Sequence, residues 1–233
     1  MTSPASLQIR SMRLEGVSFT YGKAQIFENI DFTMPSSRAV WVRSPGGRGK
    51  STLLRILAGL LTPQTGRYLI NEQSVNEMSF EEFLKYRLLI GYGFDLGGLL
   101  NNKTLQENLL LPLVYHNRLL PEDAEERVRE AIDMFGLGQA KDLRPFSVPG
   151  SLRKLTCMIR AFIHWPQVVF LDEPVTGLKE DNLNDLIHYV EEGFATRGLR
   201  QVFFTSESPL LAKRFRAEEL LISCDWFTTR SVA

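Results

Sequence analysis

The sequence has few cysteines and no excess of charge of either sign. Cys157 and Cys224 are the only two cysteines among 233 residues, and their positions match no metal-binding spacing. This scarcity favours a reducing compartment such as the cytoplasm over a disulfide-bonded secreted scaffold. Lysines and arginines together number 27, as do aspartates and glutamates. The composition therefore gives no general electrostatic support for nucleic acid binding.

Long hydrophobic runs are also lacking. The most apolar stretch, Leu105–Val114, is interrupted by Glu107, Asn108 and Pro112, so it falls short of the roughly 18 apolar residues that cross a bilayer. The N-terminus has no apolar core of a signal peptide, and the sequence contains neither internal repeats nor low-complexity segments. We expect a cytoplasmic protein that reaches a membrane only through a partner, with length enough for one α/β domain and an inserted lobe.

A glycine-rich loop lies between an apolar strand, Ala39–Val42, and a segment that has helical periodicity from Lys50 onward. Glycines let backbone N–H groups surround phosphate oxygens, and the following helix directs its positive end at the same charge. In such loops Lys50 reaches the β- and γ-phosphates and Ser51 offers its hydroxyl to Mg²⁺. Ser44 stands where a glycine is usual, which predicts local strain. The predicted nucleotide-binding residues are Ser44, Pro45, Gly46, Gly47, Arg48, Gly49, Lys50, Ser51 and Thr52.

An acidic pair follows a second apolar strand, Gln167–Leu171. Carboxyl ends of parallel strands are where such sheets bind ligands. Asp172 is therefore predicted to hold Mg²⁺ through water, and Glu173 to polarise the attacking water as the catalytic residue. A helix over Asp181–Thr196 and another apolar strand, Val202–Thr205, complete a pattern typical of a parallel sheet covered on both faces.

Periodicity and turn residues predict the remaining elements. The expected strands are Met12–Phe19, Ile30–Met34, Arg67–Ile70 and Leu88–Phe94, with a turn at residues 21–23; Phe80–Tyr86 is expected to be helical, and so is most of residues 103–162.

Taken in order, these motifs resemble the ATP-binding subunit of ATP-binding-cassette (ABC) transporters over nearly the whole chain. Tyr21 resembles the aromatic residue that stacks on adenine, and the segment Ile90–Asp95 resembles the Q-loop. The segment Arg144–Phe162 resembles the signature motif and its helix. The loop after the catalytic glutamate corresponds to Val175–Asp181, and the strand that ends in the switch histidine corresponds to Val202–Ser208. The resemblance implies a P-loop NTPase fold of ABC type. Its mostly parallel sheet core would comprise residues 1–94 and 163–233, with an N-terminal antiparallel β-subdomain and an inserted helical subdomain at residues 95–162.

Several positions depart from the family pattern. The signature reads Val-Pro-Gly-Ser-Leu at Val148–Leu152 instead of Leu-Ser-Gly-Gly-Gln, and Pro149 offers neither a hydroxyl nor an N–H, although it suits the first position of the following helix. Asp95 replaces the glutamine of the Q-loop and is predicted to meet the metal. Lys179 and Ser206 replace an aspartate and the switch histidine. Each lost contact is expected to lower the rate of hydrolysis about 10²–10³-fold, and these losses do not simply add. Hydrolysis is therefore expected to be weak.

The resemblance implies ATP and Mg²⁺ as cofactors and a location on the inner face of the cell membrane. The implied partners are a transmembrane permease and a second ABC ATPase subunit, in a homo- or heterodimer. The resemblance places Leu99, Leu100 and the run Leu109–Leu113 in the lobe that receives the permease. An exposed part of that run would mark the docking surface, whereas packing inside the lobe is the alternative. A non-hydrolysing regulatory module is a second candidate function. A DNA-repair ATPase of the same superfamily fits poorly, because no coiled-coil insertion and no net positive charge are found.

Overall fold

The computed structural model of the protein describes residues 7–115 and 119–231. The chain forms two compact units, Met1–Ile90 with Arg200–Ala233, and Gly91–Leu199. The first contains strands β1 (Met12–Tyr21), β2 (Ala24–Thr33), β3 (Ala39–Arg43), β4 (Thr65–Ile70) and β5 (Gln73–Ser74), and helices α1 (Lys50–Leu57) and α2 (Phe80–Arg87). Strand β6 (Ile90–Gly93) begins at its boundary, and the second unit continues with α3 (Leu105–Val114), α4 (Pro121–Met134), α5 (Gly150–Phe162), β7 (Val168–Leu171) and α6 (Glu180–Thr196). The chain then returns to the first unit with strand β8 (Gln201–Thr205), helix α7 (Leu210–Phe215), and strands β9 (Glu218–Ile222) and β10 (Phe227–Ser231).

An antiparallel sheet in the order β2-β1-β4-β5 forms the N-terminal part of the first unit. Buried and more exposed residues alternate along β1 except at the irregularity between Leu14 and Val17, as expected of a strand with one face on the core. The prediction that the second strand starts at Ile30 is wrong. Strand β2 begins at Ala24, paired with Tyr21, because backbone pairing with β1 extends it over polar residues such as Gln25 and Glu28, which face solvent.

A second group of strands, in the order β10-β9-β3-β8, lies in the same unit. Strand β3 runs parallel to both β8 and β9, and β10 is antiparallel to β9. In the register of β3 and β8, Val42 stands opposite Thr205. The segments that follow these two strands therefore leave the sheet at the same edge, and they are the glycine loop and residues 206–209.

The second unit is mostly helical around two adjacent strands, β6 and β7. Helix α4 has Pro121 in its first turn. Strand β6 is shorter than predicted, because Leu88 ends helix α2 by donating its N–H to the carbonyl of Leu84. Leu109 and Leu113 are buried, so the apolar run of α3 packs inside the lobe at these positions. The predicted boundaries of a helical subdomain, residues 95–162, stay a prediction.

The observed strands confirm the predicted α/β class, with an antiparallel N-terminal sheet and parallel pairing of β3 with β8 and β9. None of the helices within residues 7–115 and 119–231 is both long enough and apolar enough to cross a membrane.

Candidate nucleotide site

The glycine loop connects the end of β3 to the start of α1. Gly47 and Gly49 have φ angles of 68° and 87°, a left-handed backbone that glycine reaches without a steric penalty. The N–H of Gly47 donates to the carbonyl of Ser44 at 2.9 Å and closes the turn. Ser44 itself does not have a positive φ, so the expected strain at this position is wrong. The turn places its demanding backbone angles on glycines, and a serine fits before it.

The loop has the form of an anion cradle. A Cβ added at Gly46 or Gly47 would meet nothing within 4 Å, whereas one at Gly49 would lie 2.8 Å from the ring of Phe27. The loop is therefore packed against β2 at its end and open at its centre. Gly49 caps α1 without a side-chain hydrogen bond, and the first N–H groups of a helix have no acceptor within it. These donors and the helix dipole fit a phosphate group.

Lys50 and Glu207 form an ion pair next to this loop. The lysine side chain is 14% exposed and the glutamate side chain 83% exposed. The hydrogen bond from Lys50, followed by the charge of that lysine, lowers the pKa of Glu207. The sequence reasoning missed Glu207. The available signal was its position, two residues beyond the end of a strand that was predicted to end in a phosphate-sensing group.

Ser206, which stands at the switch-histidine position, is turned into its own loop. Its side chain accepts a hydrogen bond from the N–H of Ser208 at 3.1 Å, and its carbonyl accepts one from Trp41 Nε1 at 2.9 Å. The residue is only 3% exposed. Glu207 is therefore the side chain of this loop that reaches Lys50.

Tyr21 lies at the end of β1, where it is 45% exposed. Its ring contacts Phe19 edge-on, with centroids 4.9 Å apart. This contact fixes one edge of the ring and leaves a large aromatic surface in solvent, which suits stacking. Its role against adenine stays a prediction.

The predicted acidic pair lies in the second unit. Asp172 is 3% exposed, and its N–H donates to the carbonyl of Gly93 at 2.8 Å. Glu173 has a φ of 48°, a left-handed conformation that is uncommon outside glycine and is often found at functional sites. The hydroxyl of Thr176 donates to Glu173 Oε2 at 3.3 Å. The backbone therefore turns sharply between the two carboxylates, so that one is buried at the strand end and the other is half-exposed.

Asp95 forms an ion pair with a buried lysine of α5. Lys154 Nζ donates to Asp95 Oδ1 at 2.5 Å, to the carbonyl of Asp95 at 3.0 Å and to the carbonyl of Asp172 at 3.3 Å. The lysine side chain is 7% exposed and the Asp95 side chain 39% exposed. The charge of Asp95 is therefore partly neutralised by Lys154. The role of Asp95 as a metal ligand stays a prediction. Lys154 was missed, although it is a charged residue on a helix face that is otherwise apolar.

The signature segment is structured by its own neighbours. Pro149 is the N-cap of α5, which begins at Gly150, so the predicted helical position of Pro149 is wrong by one residue. Arg153 Nη1 donates to the carbonyl of Val148 at 2.7 Å and holds the turn that precedes the helix. Leu152 packs against a buried cluster of Leu105, Ala140 and Val148. The side chain that replaces the family's glutamine is therefore part of the lobe's apolar packing.

Several known proteins are similar to this chain. The chain is 31% identical over 168 residues to the probable ribonucleotide transport ATP-binding protein mkl of Mycobacterium bovis, covering 72% of this chain and 47% of that protein. It is 27% identical over 196 residues to the intermembrane phospholipid transport system ATP-binding protein MlaF of Escherichia coli K12, covering 84% and 73%. It is 30% identical over 176 residues to the lipoprotein-releasing system ATP-binding protein LolD of Bacteroides fragilis, covering 75% and 81%. The chain thus spans about half the length of mkl and most of the length of the other two.

Solved structures share the fold. A dimeric ATP-binding cassette, MJ0796, in a post-hydrolysis state bound to ADP and Pi superposes with a TM-score of 0.81 at 21% identity, over 95% of this chain and 99% of that one. The sequence model of the ABC transporter family matches residues 27–176, well over half of the chain. Together with the glycine loop and the acidic pair at the strand end, this match shows that the chain belongs to the ABC transporter family, as a nucleotide-binding domain.

Proposed function

We propose that the protein binds Mg-ATP and couples its nucleotide state to a transmembrane permease at the cytoplasmic face of the membrane, with slow hydrolysis. The glycine loop carries this proposal, because its φ angles, its open centre and the helix that begins directly after it fit phosphate. The relatives mkl, MlaF and LolD are named as ATP-binding proteins of transport systems. That shared role supports a permease partner for this chain.

The proposed roles follow from what each side chain offers. Lys50 binds the phosphates, Ser51 contributes a hydroxyl ligand to magnesium, and Asp172 and Asp95 contribute carboxylate oxygens. Magnesium, when bound, neutralises charge on the phosphates. Glu173 orients water and accepts its proton. Tyr21 stacks on the purine through its exposed ring.

The second chain of the active assembly is proposed to be a different ABC subunit. Pro149 gives the signature turn no side-chain donor, and Leu152 packs inward. The signature segment therefore offers a facing nucleotide less than the family pattern does, although the chain's own phosphate loop is well formed. A partner with an intact signature would restore one complete site.

A cleft in the second unit is the proposed place for the permease. It encloses about 210 Å³ and is lined by Asp95, Leu96, Leu99, Pro145 and Arg153, among others. Leu96 is 87% exposed, and an exposed apolar side chain beside a cleft is typical of a surface that binds another protein. We expect Leu96→Glu to abolish copurification with the permease and Leu120→Glu, an equally apolar but separate exposed site on the N-cap of α4, to leave it intact.

Binding and turnover are tested separately. Calorimetry on the purified chain should show Mg-ATP binding, and Lys50→Ala should abolish it. Phosphate release should be measured on the chain alone and on the complex that copurifies with it from its native membrane, with Glu173→Gln as the control. Turnover that is sensitive to Glu173→Gln supports a working ATPase. Tight binding with no turnover in the complex would favour the second candidate, a non-hydrolysing regulatory module.

A further inference from the structure

A carboxylate lies where the fold would bring the phosphates of a nucleotide. Val42 and Thr205 are opposite each other in the parallel pair β3–β8, so the glycine loop and Glu207 extend from the same edge of the same sheet. Both belong to the first unit. The juxtaposition follows from strand register, and it does not depend on the conformation of a long loop.

The lysine of the loop is contacted by this carboxylate. Lys50 Nζ donates to Glu207 Oε1 in a short ion pair, with the lysine largely buried and the glutamate in solvent. Ser206 is held in the turn by Ser208 and Trp41, which directs the next residue outward. Arg43, whose charge also lowers the pKa of Glu207, is itself bound to Glu219 at 2.7 Å. Glu207 therefore interacts mainly with the lysine that is expected to bind the terminal phosphates.

We infer that Glu207 is a specificity-determining residue of the nucleotide site, whose carboxylate competes with the terminal phosphate of a nucleoside triphosphate for Lys50. The inference rests on the proposed function, in that it takes the loop to bind nucleotide. A triphosphate brings one more phosphoryl group and more negative charge to this edge than a diphosphate does. Glu207 therefore weakens triphosphate binding more than diphosphate binding, and it shifts the chain toward the ADP-bound state.

The size of the effect follows from the exposure of the pair. Ion pairs between exposed groups are weak and screened by salt, and repulsion between Glu207 and the incoming phosphate adds to the cost of breaking the pair. Removing the charge should tighten Mg-ATP binding by about three- to tenfold and ADP binding by less than about threefold. The ratio of the two dissociation constants is the diagnostic quantity, because a general change in loop stability would affect both nucleotides alike.

The test is calorimetric titration of the full chain with Mg-ATP and with ADP, for the natural protein and for Glu207→Gln, at low and at high salt. The substitution keeps the shape of the side chain and removes its charge. Glu77→Gln is the matched control, because Glu77 is an exposed glutamate of the same unit in the short 3-10 turn Val75–Glu77, outside the phosphate loop. We expect Glu207→Gln alone to raise the ratio of the ADP to the ATP dissociation constant, by less at high salt.

The outcomes separate this inference from the proposed function. Binding of both nucleotides with the same ratio in the natural protein and Glu207→Gln would overturn the inference and leave the proposed function standing. A rise in the ratio with Glu77→Gln as large as with Glu207→Gln would also overturn it, since the effect would then be one of net charge. No binding by any of these proteins would overturn both.

Discussion

Lys154 is a buried cation whose three contacts tie the segment after β6 to the end of β7. It donates to the carboxylate and the carbonyl of Asp95 and to the carbonyl of Asp172. Burial of an ammonium group is costly unless its hydrogen bonds are satisfied. The ion pair gives the acid at the Q-loop position a buried partner, and it makes Asp95 and Lys154 interdependent.

A double-mutant cycle tests this dependence. Asp95→Asn should lower the free energy of unfolding by about 1–2 kcal/mol, because it leaves Lys154 with weaker acceptors, and the half-exposed aspartate keeps the effect below that of a fully buried pair. Lys154→Met should cost a similar amount. The double variant should lose clearly less than the sum of both. Urea denaturation of the three variants gives the free energies.

The control for that cycle is an exposed pair in the same unit. Lys103 and Glu107 are 43% and 45% exposed and 2.9 Å apart, so Lys103→Met should change stability by less than about 0.5 kcal/mol. Strict additivity of Asp95→Asn and Lys154→Met would contradict the interdependence of the pair.

At the scale of elements, α5 packs against β6 backbone to backbone. A Cβ at Gly91 would lie 2.0 Å from the carbonyl oxygen of Ala161, a distance that only movement of the helix or the strand could relieve. Gly91→Ala should therefore lower the free energy of unfolding by about 2–3 kcal/mol. Gly138→Ala is the matched control, because a Cβ there meets nothing within 4 Å. Thermal melting of both variants checks the contrast, and equal melting temperatures would contradict it.

Glu219 joins three neighbouring strands through its charge. Glu219 lies on β9 and is 4% exposed, and its carboxylate accepts hydrogen bonds from Arg230 on β10 and from Arg43 on β3. The hydrogen bond from Arg230 is the main cause that lowers the pKa of Glu219. A group with a lowered folded-state pKa stabilises the fold above its unfolded pKa of about 4.3 and loses that contribution as the pH falls.

Glu219→Gln should consequently cost about 1–3 kcal/mol of unfolding free energy at pH 7 and less as the pH falls below about 4. Denaturant unfolding at both pH values measures the difference, and Glu218→Gln on the same strand is the control. A difference between the natural protein and Glu219→Gln that is independent of pH would show that the ion pairs are not its source.

Elements with local chemical signals could be predicted, and those built by long-range pairing could not. The start of α1 at Lys50 agrees with the prediction, and the strand predicted at Gln167–Leu171 is observed at Val168–Leu171. A glycine loop and an unbroken apolar run mark these two elements in the sequence. Strand β2 was predicted to start too late, because its first residues are polar and are held by pairing with β1. In the candidate site, the pairs Lys50–Glu207 and Asp95–Lys154 join residues 157 and 59 positions apart, and no local pattern encodes them.

At the scale of the whole molecule, the residues kept from the family pattern and those lost fall into two groups. The kept groups are those expected to bind nucleotide and water within one chain, namely Tyr21, Lys50, Ser51, Asp172 and Glu173. Three of the changed groups, at Pro149, Leu152 and Lys179, are those that the family resemblance assigns to contact with a facing chain, whereas Asp95 and Ser206 are changes within the chain's own site. This division is what a subunit that works opposite a different ATPase would retain, and it is the reason for proposing a heterodimer.

Restoring the signature turn tests that division. Serine is a favoured N-cap residue, so Pro149→Ser should keep the start of α5 while it adds the missing hydroxyl and N–H, and Ser151→Gly removes a side chain from the approach. Both proteins are compared with Glu173→Gln present, because this substitution slows hydrolysis. With Mg-ATP, the chain that has the natural signature should stay monomeric by light scattering, and the chain that also carries Pro149→Ser and Ser151→Gly should dimerise. Without Glu173→Gln, phosphate release should rise about 10²-fold, and it should stay below that of an intact site because Lys179 and Ser206 are unchanged. Pro149→Ala with Ser151→Gly supplies the N–H without the hydroxyl and should gain less. Efficient dimerisation and turnover by the natural chain alone would contradict the heterodimer, since its own signature would then suffice.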